Sequence, residues 1–443
     1  MHKWCAAPLR ELADIRVSNV DKKSSPGERS VRLCNYMDVY ANDYIREDLP
    51  FMEATASEPE IFRFKVERGD VLITKDSETP DDIGIPAVVT EDVEDLVCGY
   101  HIALLRPNTR LVDPVFLSKQ LGRSETANYF ARYAAGSTRY GLSCSAISNA
   151  NVLFPSLLRQ RKIAAILSCI DIAIEKTEAL IDKYQQIKAG LMHDLFTRGV
   201  LPNRQLRPPH GEAPELYRQS PVGWVPEEWD VSGLAVKGRP GTQWIRTGPF
   251  GSSLKGEHWR QHGHPVITIG SLGVGDFIEA ELLFIDENDA KRLEDFRLAA
   301  GDVVFSRVAD VGRSVVIHDD HAGWIMSSNL MRIAVDATLV RPEYLQMLLA
   351  GDARVKAQIR TLVNSGGRDV ANSDVLNRLR FAWPSPDEQD RIIAACDRVT
   401  ARVNGESRKL VKLQEKKLGL MQDLLTGKVP VKVDEPVAET ADA

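Results

Sequence analysis

No stretch of this sequence is apolar for long enough to span a bilayer, which takes about 20 consecutive apolar residues. The opening "MHKWCAAPLRELADI" also lacks the succession of basic, apolar and small residues that marks a secretory leader. These absences predict a soluble, cytoplasmic protein. Cysteine is sparse and scattered: Cys5, Cys34, Cys98, Cys144, Cys169 and Cys396 stand singly, without the spacing of a zinc knuckle or a disulfide framework. An excess of basic charge is missing too, since 56 Lys and Arg against 62 Asp and Glu leave a formal charge of -6. A nucleic-acid reader of this composition must therefore gather its cations on one face.

Catalytic signatures are absent as well. There is no phosphate loop ending in Lys-Ser or Lys-Thr, no GxSxG, no HExxH, and no Asn-Pro-Pro-aromatic or Asp-Pro-Pro-aromatic motif of an amino-methyltransferase. Two histidine groups, "HWRQHGH" (His258, His262, His264) and "HDDH" (His318, His321), suggest metal ligands at first sight. Neither recurs elsewhere in the chain, and loop histidines far outnumber metal sites, so no metal is expected.

What is present is a repeat. "KAGLMHDLFTRGVLP" (188–202) returns as "KLGLMQDLLTGKVP", with Gly190, Leu191, Met192, Asp194, Leu195 and Thr197 over Gly419, Leu420, Met421, Asp423, Leu424 and Thr426 at one fixed offset. "PSLLRQRKIAAIL" (155–167) matches "PSPDEQDRIIAAC" (384–396). "ERGDVLIT" (67–74) matches "AAGDVVFS" (299–306), and "GSTRYGLS" (136–143) matches "SGGRDVAN" (365–372). Trp4 and Leu9 are mirrored by Trp229 and Leu234. The unit is about half the chain, so the pattern is a duplicated domain with a duplicated helix.

Each half ends in a heptad pattern. The apolar seam is Ile163, Leu167, Ile170, Ile174, Ile181 and Leu191 in the first half, and Ile392, Val399, Val403, Leu410, Leu413 and Leu420 in the second. Polar interruptions fall at Thr177 and Lys188, and at Glu406 and Lys417, the same steps in both. Pro155 and Pro384 precede the helices, and Gly199 and Gly427 follow them. Helices of roughly 38 residues, about 57 Å long, exceed what one small domain covers, so an antiparallel pair is expected. The polar seam positions then either fix register, with Glu406 approaching a lysine of the partner, or are side chains snorkelling at an exposed end.

The remaining segments read as mixed α/β. "DVLIT", "IPAVVT" and "HIALLRP", like "DVVFSR", "SVVIHD" and "LMRIAV", have strand character, whereas residues 114–135 and 342–363 have helical spacing. The expected layout is a domain at 1–154, a long helix at 155–200, an extended Pro-rich connection at 201–228, a second domain at 229–383, a second long helix at 384–428 and a disordered tail at 429–443.

Binding is the chemistry left open. "KKSSPGERSVR" (22–32) and "TGPFGSSLK" (247–255) combine Gly, Pro, Ser and Lys as phosphate-gripping loops do. In a second pair of loops, "GSTRYGLS" (136–143) and "NSGGRDVANS" (364–373), an Arg suits guanine or phosphate and an Asn suits adenine. The candidate DNA contacts are Lys22, Lys23, Ser24, Ser25, Arg29 and Tyr36, with Ser137, Thr138, Arg139 and Tyr140. Their counterparts in the second half are Gly248, Phe250, Gly251, Ser252, Ser253, Lys255, Arg307, Gly367, Arg368 and Asn372.

In this order, "VSNVDKK" with "NYMDVY", "SPVGWVPEEWDV", "TGPFGSSLK" and the two helix endings resemble the specificity subunits of type I restriction-modification systems along almost the whole chain. The resemblance implies two target-recognition domains, each reading half of a bipartite asymmetric site on double-stranded DNA, held apart by an antiparallel coiled coil. It also implies docking to two modification (methyltransferase) subunits and, through the complex, to restriction and translocation subunits. S-adenosylmethionine, ATP and Mg would then belong to the partners, and this chain would bind no cofactor. The tandem four-residue repeat with which some members vary the spacer is not found. Two other classes stay open at this point. A fused methyltransferase or nuclease would need the missing motifs, and a coiled-coil scaffold that does not touch DNA would suit the acidic total charge.

Overall fold

The computed structural model describes residues 4–273, 275–308, 311–364 and 370–433. The chain divides into two compact units, residues 1–178 with 408–443, and residues 179–407.

In the first unit, strand Cys5–Pro8 pairs antiparallel with Asn151–Phe154, the strand that leads into the first long helix. The main sheet runs in the order Ala13–Val17, Ile102–Pro107, Val71–Thr74, Pro86–Val89, Tyr44–Ile45. Its middle strand reads Val-Leu-Ile-Thr and is buried at every residue, as a strand covered on both faces must be. A smaller sheet places Arg29–Cys34 antiparallel to Met52–Ala56 and parallel to Leu96–Cys98.

The second unit repeats this plan. Asp230–Ser232 pairs with Phe381–Trp383, and the main sheet runs Ile245–Thr247, Leu330–Ala334, Asp302–Ser306, Ser314–Val316. Its smaller sheet sets His264–Ile267 antiparallel to Leu283–Ile285 and parallel to Ile325–Met326. The duplication legible in the sequence is thus a duplication of topology.

The structure adds detail at three places. Residues 114–135 form two helices, Pro114–Leu121 and Ser124–Tyr133, because Gly122 closes the first, whose start is capped by the Asp113 side chain. The counterpart breaks likewise at Asp352, between Pro342–Gly351 and Ala353–Asn364. The Pro-rich segment is not simply extended: Tyr217–Ser220 and Gly223–Pro226 form a hairpin, and Arg207 is buried. At the end of the chain, Val431 packs on the core of the first unit, and residues 434–443 lie outside the described residues.

The long helices are Leu157–Arg198 and Pro386–Leu424. In the first unit Ile163, Ala164 and Leu167 share a core with Leu420, Met421 and Leu424, the start of one helix against the end of the other. In the second unit Leu191, Met192 and Leu195 share a core with Ile392, Ala395 and Cys396. Within each unit the helices therefore run antiparallel. The seam residues named above are all buried or half-buried. Each helix ends in a left-handed glycine, Gly199 (φ 68°) or Gly427 (φ 75°), set against a tryptophan ring. A Cβ there would lie 2.5 Å from Trp229 Cζ2 or 2.3 Å from Trp4 Nε1. The repeated motif is in this way a helix end that seats on the tryptophan opening a domain.

Among the described residues no helix is long and apolar enough to cross a membrane. Cys34, Cys98 and Cys396 are buried, Cys5, Cys144 and Cys169 are exposed, and all six thiols are free.

Candidate nucleic-acid interface

The loops singled out by the sequence are organised around the end of each unit's middle strand. In the first unit Val71–Thr74 runs on into Lys75, whose N–H donates to the His101 carbonyl (3.0 Å) while its own carbonyl accepts from Leu142 N–H (2.8 Å). In the second unit Asp302–Ser306 runs on into Arg307, whose N–H donates to the Asn329 carbonyl (3.1 Å) while its carbonyl accepts from Ala371 N–H (2.8 Å). One backbone frame thus presents a turn and a loop beyond the strand in both units. Aligning "ERGDVLIT" with "AAGDVVFS" puts Lys75 over Arg307.

In the first unit Asp76–Ser77 pairs with Tyr140–Gly141, which brings Arg139 beside the loop that follows the strand. Gly136 permits this turn: its φ is 152°, and a Cβ would stand 1.8 Å from the Arg139 carbonyl oxygen. A recess of about 700 Å³ opens here, lined by Lys22, Tyr36 and Arg139 among the expected residues. Asn35, Met37, Tyr40, Asp76, Glu78, Asp82 and His101 complete much of its wall. The Tyr36 and Tyr40 rings, one turn apart on helix Tyr36–Tyr40, stack at 5.4 Å with planes 17° apart. Asn35 starts that helix through a reciprocal capping box with Asp38. Burial, then the neighbouring Asp82, raises the pKa of Tyr36, and the Asp82 carboxylate that accepts from the Tyr40 hydroxyl raises that of Tyr40.

Asp76 accepts from Lys75 Nζ (2.9 Å) and pairs with His101 Nδ1 (2.9 Å), while Lys75 also sits 4.5 Å from the centre of the Tyr100 ring. The preceding loop is pinned, with Lys23 N–H donating to Asp21 Oδ1 (2.8 Å) and Ser25 N–H to Thr55 Oγ1 (2.8 Å). Lys22, Lys23, Ser24 and Ser25 are exposed on it, as are Ser137 and Thr138 on the other loop, whereas Tyr140 is half-buried in the short strand. Arg29 is engaged by Asp95 at 2.7 Å and leads away from the recess along its own sheet.

In the second unit Gly248 N–H donates to the Leu330 carbonyl (2.9 Å), close to Asn329 and so to Arg307. A Cβ at Gly248 would stand 1.9 Å from the Ser327 carbonyl oxygen, so glycine is required. Beyond it Phe250 is 88% exposed. Gly251, Ser252 and Lys255 are exposed, and the half-buried Ser253 is held through its carbonyl by Arg292 (2.8 Å). Two of the expected residues also serve the frame. Asn372 caps helix Ser373–Arg378, its side-chain carbonyl accepting from Val375 N–H (3.0 Å). Arg307 donates Nε to the Ala371 carbonyl (3.0 Å), which ties it to the loop it supports. Gly367 and Arg368 lie outside the described residues.

Within the histidine groups, His258 pairs with Asp289 (3.0 Å), His264 with Glu287 (2.6 Å), and His321 packs on Phe277 and Trp324. Asp76, Glu78, Asp82, Tyr40 and His101 were not read from the sequence. Asp76, Glu78 and Asp82 follow Lys75 in the chain, but only the fold brings Tyr40 and His101 to them.

Ion clusters fix each domain to its helices. In the first unit Lys119 and Lys417 both bridge Asp43 (2.9 and 2.8 Å) and Asp171 (2.8 and 2.7 Å), and Tyr44 donates to Asp171 (2.7 Å). Burial alone would raise Asp43, but Lys119 and then Lys417 outweigh it and hold its carboxyl at about 2. The seam lysine Lys417 thus meets aspartates, one on the partner helix and one on the domain. Glu406 is bridged by Arg402 on its own helix at 3.6 Å. In the second unit Glu388 accepts from Arg207, Val200 N–H (2.9 Å) and Trp229 Nε1 (3.1 Å).

No family model matches the chain. Among curated proteins, a provisionally named type I restriction enzyme MjaX specificity subunit of Methanocaldococcus jannaschii is 23% identical over 229 residues, 52% of this chain and 51% of that protein. The match thus spans about half the length of that relative. The type I restriction enzyme MjaVIII specificity subunit of the same organism is 21% identical over 332 residues, 74% of this chain and 73% of its own. Among solved structures, the S subunit of a type I restriction-modification system from M. genitalium superposes with a TM-score of 0.57 at 13% identity, covering 97% of both chains. A chain from a structure of type I restriction-modification complex assembly gives 0.54 at 15% identity, covering 96% of this chain and 98% of its own. The mixed α/β fold, with its long helices, is the fold of those subunits, and sequence and fold both return the family that the residues resembled.

Proposed function

We propose that this chain, a relative of type I specificity subunits, is the non-catalytic DNA-reading component of a type I restriction-modification complex. Each unit reads one half of a bipartite, asymmetric site on double-stranded DNA, and the paired helices set the distance between the halves. Two modification subunits dock on the chain and, with the restriction subunits, methylate or cleave. The S-adenosylmethionine, ATP and Mg for those reactions are the partners'.

The observation that carries this reading is one backbone frame built twice and dressed differently. Around Lys75 it presents Lys22, Tyr36 and Arg139, and around Arg307 it presents Phe250, Ser252 and Lys255. Identical faces would suit a symmetric site, whereas different side chains on equivalent frames suit two unlike half-sites. Exposed lysines on pinned loops supply the positioning contacts to phosphate that such reading requires. The test is binding of the chain, assembled with its modification subunits, to DNA across a salt series. Sequence-selective binding that weakens steeply with salt is expected. Assembly without DNA affinity at low salt would leave a scaffold and refute the reading.

A further inference from the structure

The recess of the first unit is poorly suited to a phosphate. Its wall carries four carboxylates, Asp38, Asp76, Glu78 and Asp82; Lys75 compensates Asp76, and the other three stand against two permanent cations, Lys22 and Arg139. A phosphate drawn in by the cations would face an excess of negative charge. The wall is also not that of an ordinary polar surface. The Tyr36–Tyr40 stack is flanked by Met37 and Met52, 60% and 40% exposed, so apolar surface and acceptors stand side by side. A base has this mixture, a flat apolar body and a polar edge. Among base edges in the major groove, carboxylates accept from the exocyclic amino groups of cytosine and adenine and repel the keto oxygens of guanine and thymine.

The acceptors are held before any ligand arrives. Asp76 is fixed by Lys75 and His101, and strand pairing of Asp76–Ser77 with Tyr140–Gly141 sets the loop that carries Glu78 and Asp82. Preorganised acceptors discriminate because a wrong base leaves them facing a repulsive partner without the freedom to turn away.

We infer that this recess, resting on the DNA-reading function proposed above, is an amino-group reader: Glu78 and Asp82, on the loop that Asp76 anchors, accept from an adenine or cytosine of the first half-site while Lys22 and Arg139 engage flanking phosphates. The first half-site then contains an adenine or cytosine whose exocyclic amino group is essential to recognition.

The experiment uses the chain assembled with its modification subunits, as wild type and as Glu78→Gln and Asp82→Asn. Binding is measured to duplexes of the methylated motif in which single bases of the first half-site lack their exocyclic amino group. Wild type should lose roughly 5- to 100-fold at one position. The variant of the carboxylate that reads that position should bind the unmodified duplex more weakly and lose little more on the modified one. Changes in the second half-site should affect wild type and variants alike. Glu78 is exposed at the rim, so its replacement leaves the packing intact. Equal loss in wild type and both variants at every position would overturn the inference, as would variants that weaken binding to all sequences uniformly. A wild-type complex that binds DNA without sequence preference would instead defeat the broader reading.

Discussion

Replacing Glu388 by alanine should loosen the second unit selectively, by an amount the structure lets one work out. Glu388 is 2% exposed and Arg207 5%, and Trp229 and Val200, which also donate to this carboxylate, are buried as well. Truncation orphans two neutral donors and strips a buried guanidinium of its main counter-ion, a class of change that costs about 3 to 5 kcal/mol. Arg207 keeps Glu228 and its bond to the Arg198 carbonyl (3.0 Å), which places the expectation near the lower end, about 3 kcal/mol. Glu388→Gln retains an acceptor and should cost about 1 to 2 kcal/mol. Because the chain has two units, a single unfolding free energy is the wrong observable. Hydrogen exchange read by peptide is the right one. Protection in the core around Ile392, Leu376 and Trp229 should fall by about 100-fold, the equivalent of 3 kcal/mol, with the first unit unchanged. A loss below about 1 kcal/mol, or an equal loss in both units, would refute the assignment of this ion pair as the clamp of the second unit.

In the first unit the corresponding cluster predicts a pH dependence. The Asp43 carboxyl is depressed to about 2, so its contribution is complete above the unfolded value near 4 and is lost as pH falls through 4 toward 2. Urea titrations at stepped pH, followed by exchange in the first unit, should show that loss, and Lys417→Met should flatten it; an unchanged acid slope would contradict the assignment. Gly136→Ala should cost of order 1 to 3 kcal/mol of local strain and impair reading of the first half-site only, seen as reduced binding selectivity with the core melt unchanged. Alanine at Lys22, Lys23 or Lys255 should weaken binding to all sequences and reduce the salt slope by roughly one for each phosphate no longer neutralised, whereas an unchanged slope would remove these lysines from the interface.

Elements defined by a run of neighbouring residues were legible in the sequence. Val71–Thr74 and Asp302–Ser306 are apolar β-branched runs, and the long helices declare themselves by seven-residue spacing and terminal glycines. What escaped depends on residues far apart in the chain. The break at Gly122 looks like a tolerated glycine until Asp113 and Pro114 are seen to start one helix and a second begins at Ser124. Arg207 reads as one charge in a proline-rich connection, and only the fold brings Glu388 to it. The recess gathers side chains from residues 22, 35–40, 76–82, 101 and 139, so no local pattern marks its carboxylates. Conversely, Asn372 has the side chain that suits adenine, and only the fold shows that it also caps helix Ser373–Arg378 through Val375 N–H.

The central claim is that two units read two halves of one site independently. Its most direct test is the methylated motif of genomic DNA from cells expressing this chain with its modification partners, before and after residues 1–154 are exchanged for those of a relative. A motif of two sequence blocks separated by a fixed spacer, of which one block changes and the other is retained, is the result expected. A change in both blocks, or a continuous motif with no spacer, would contradict it.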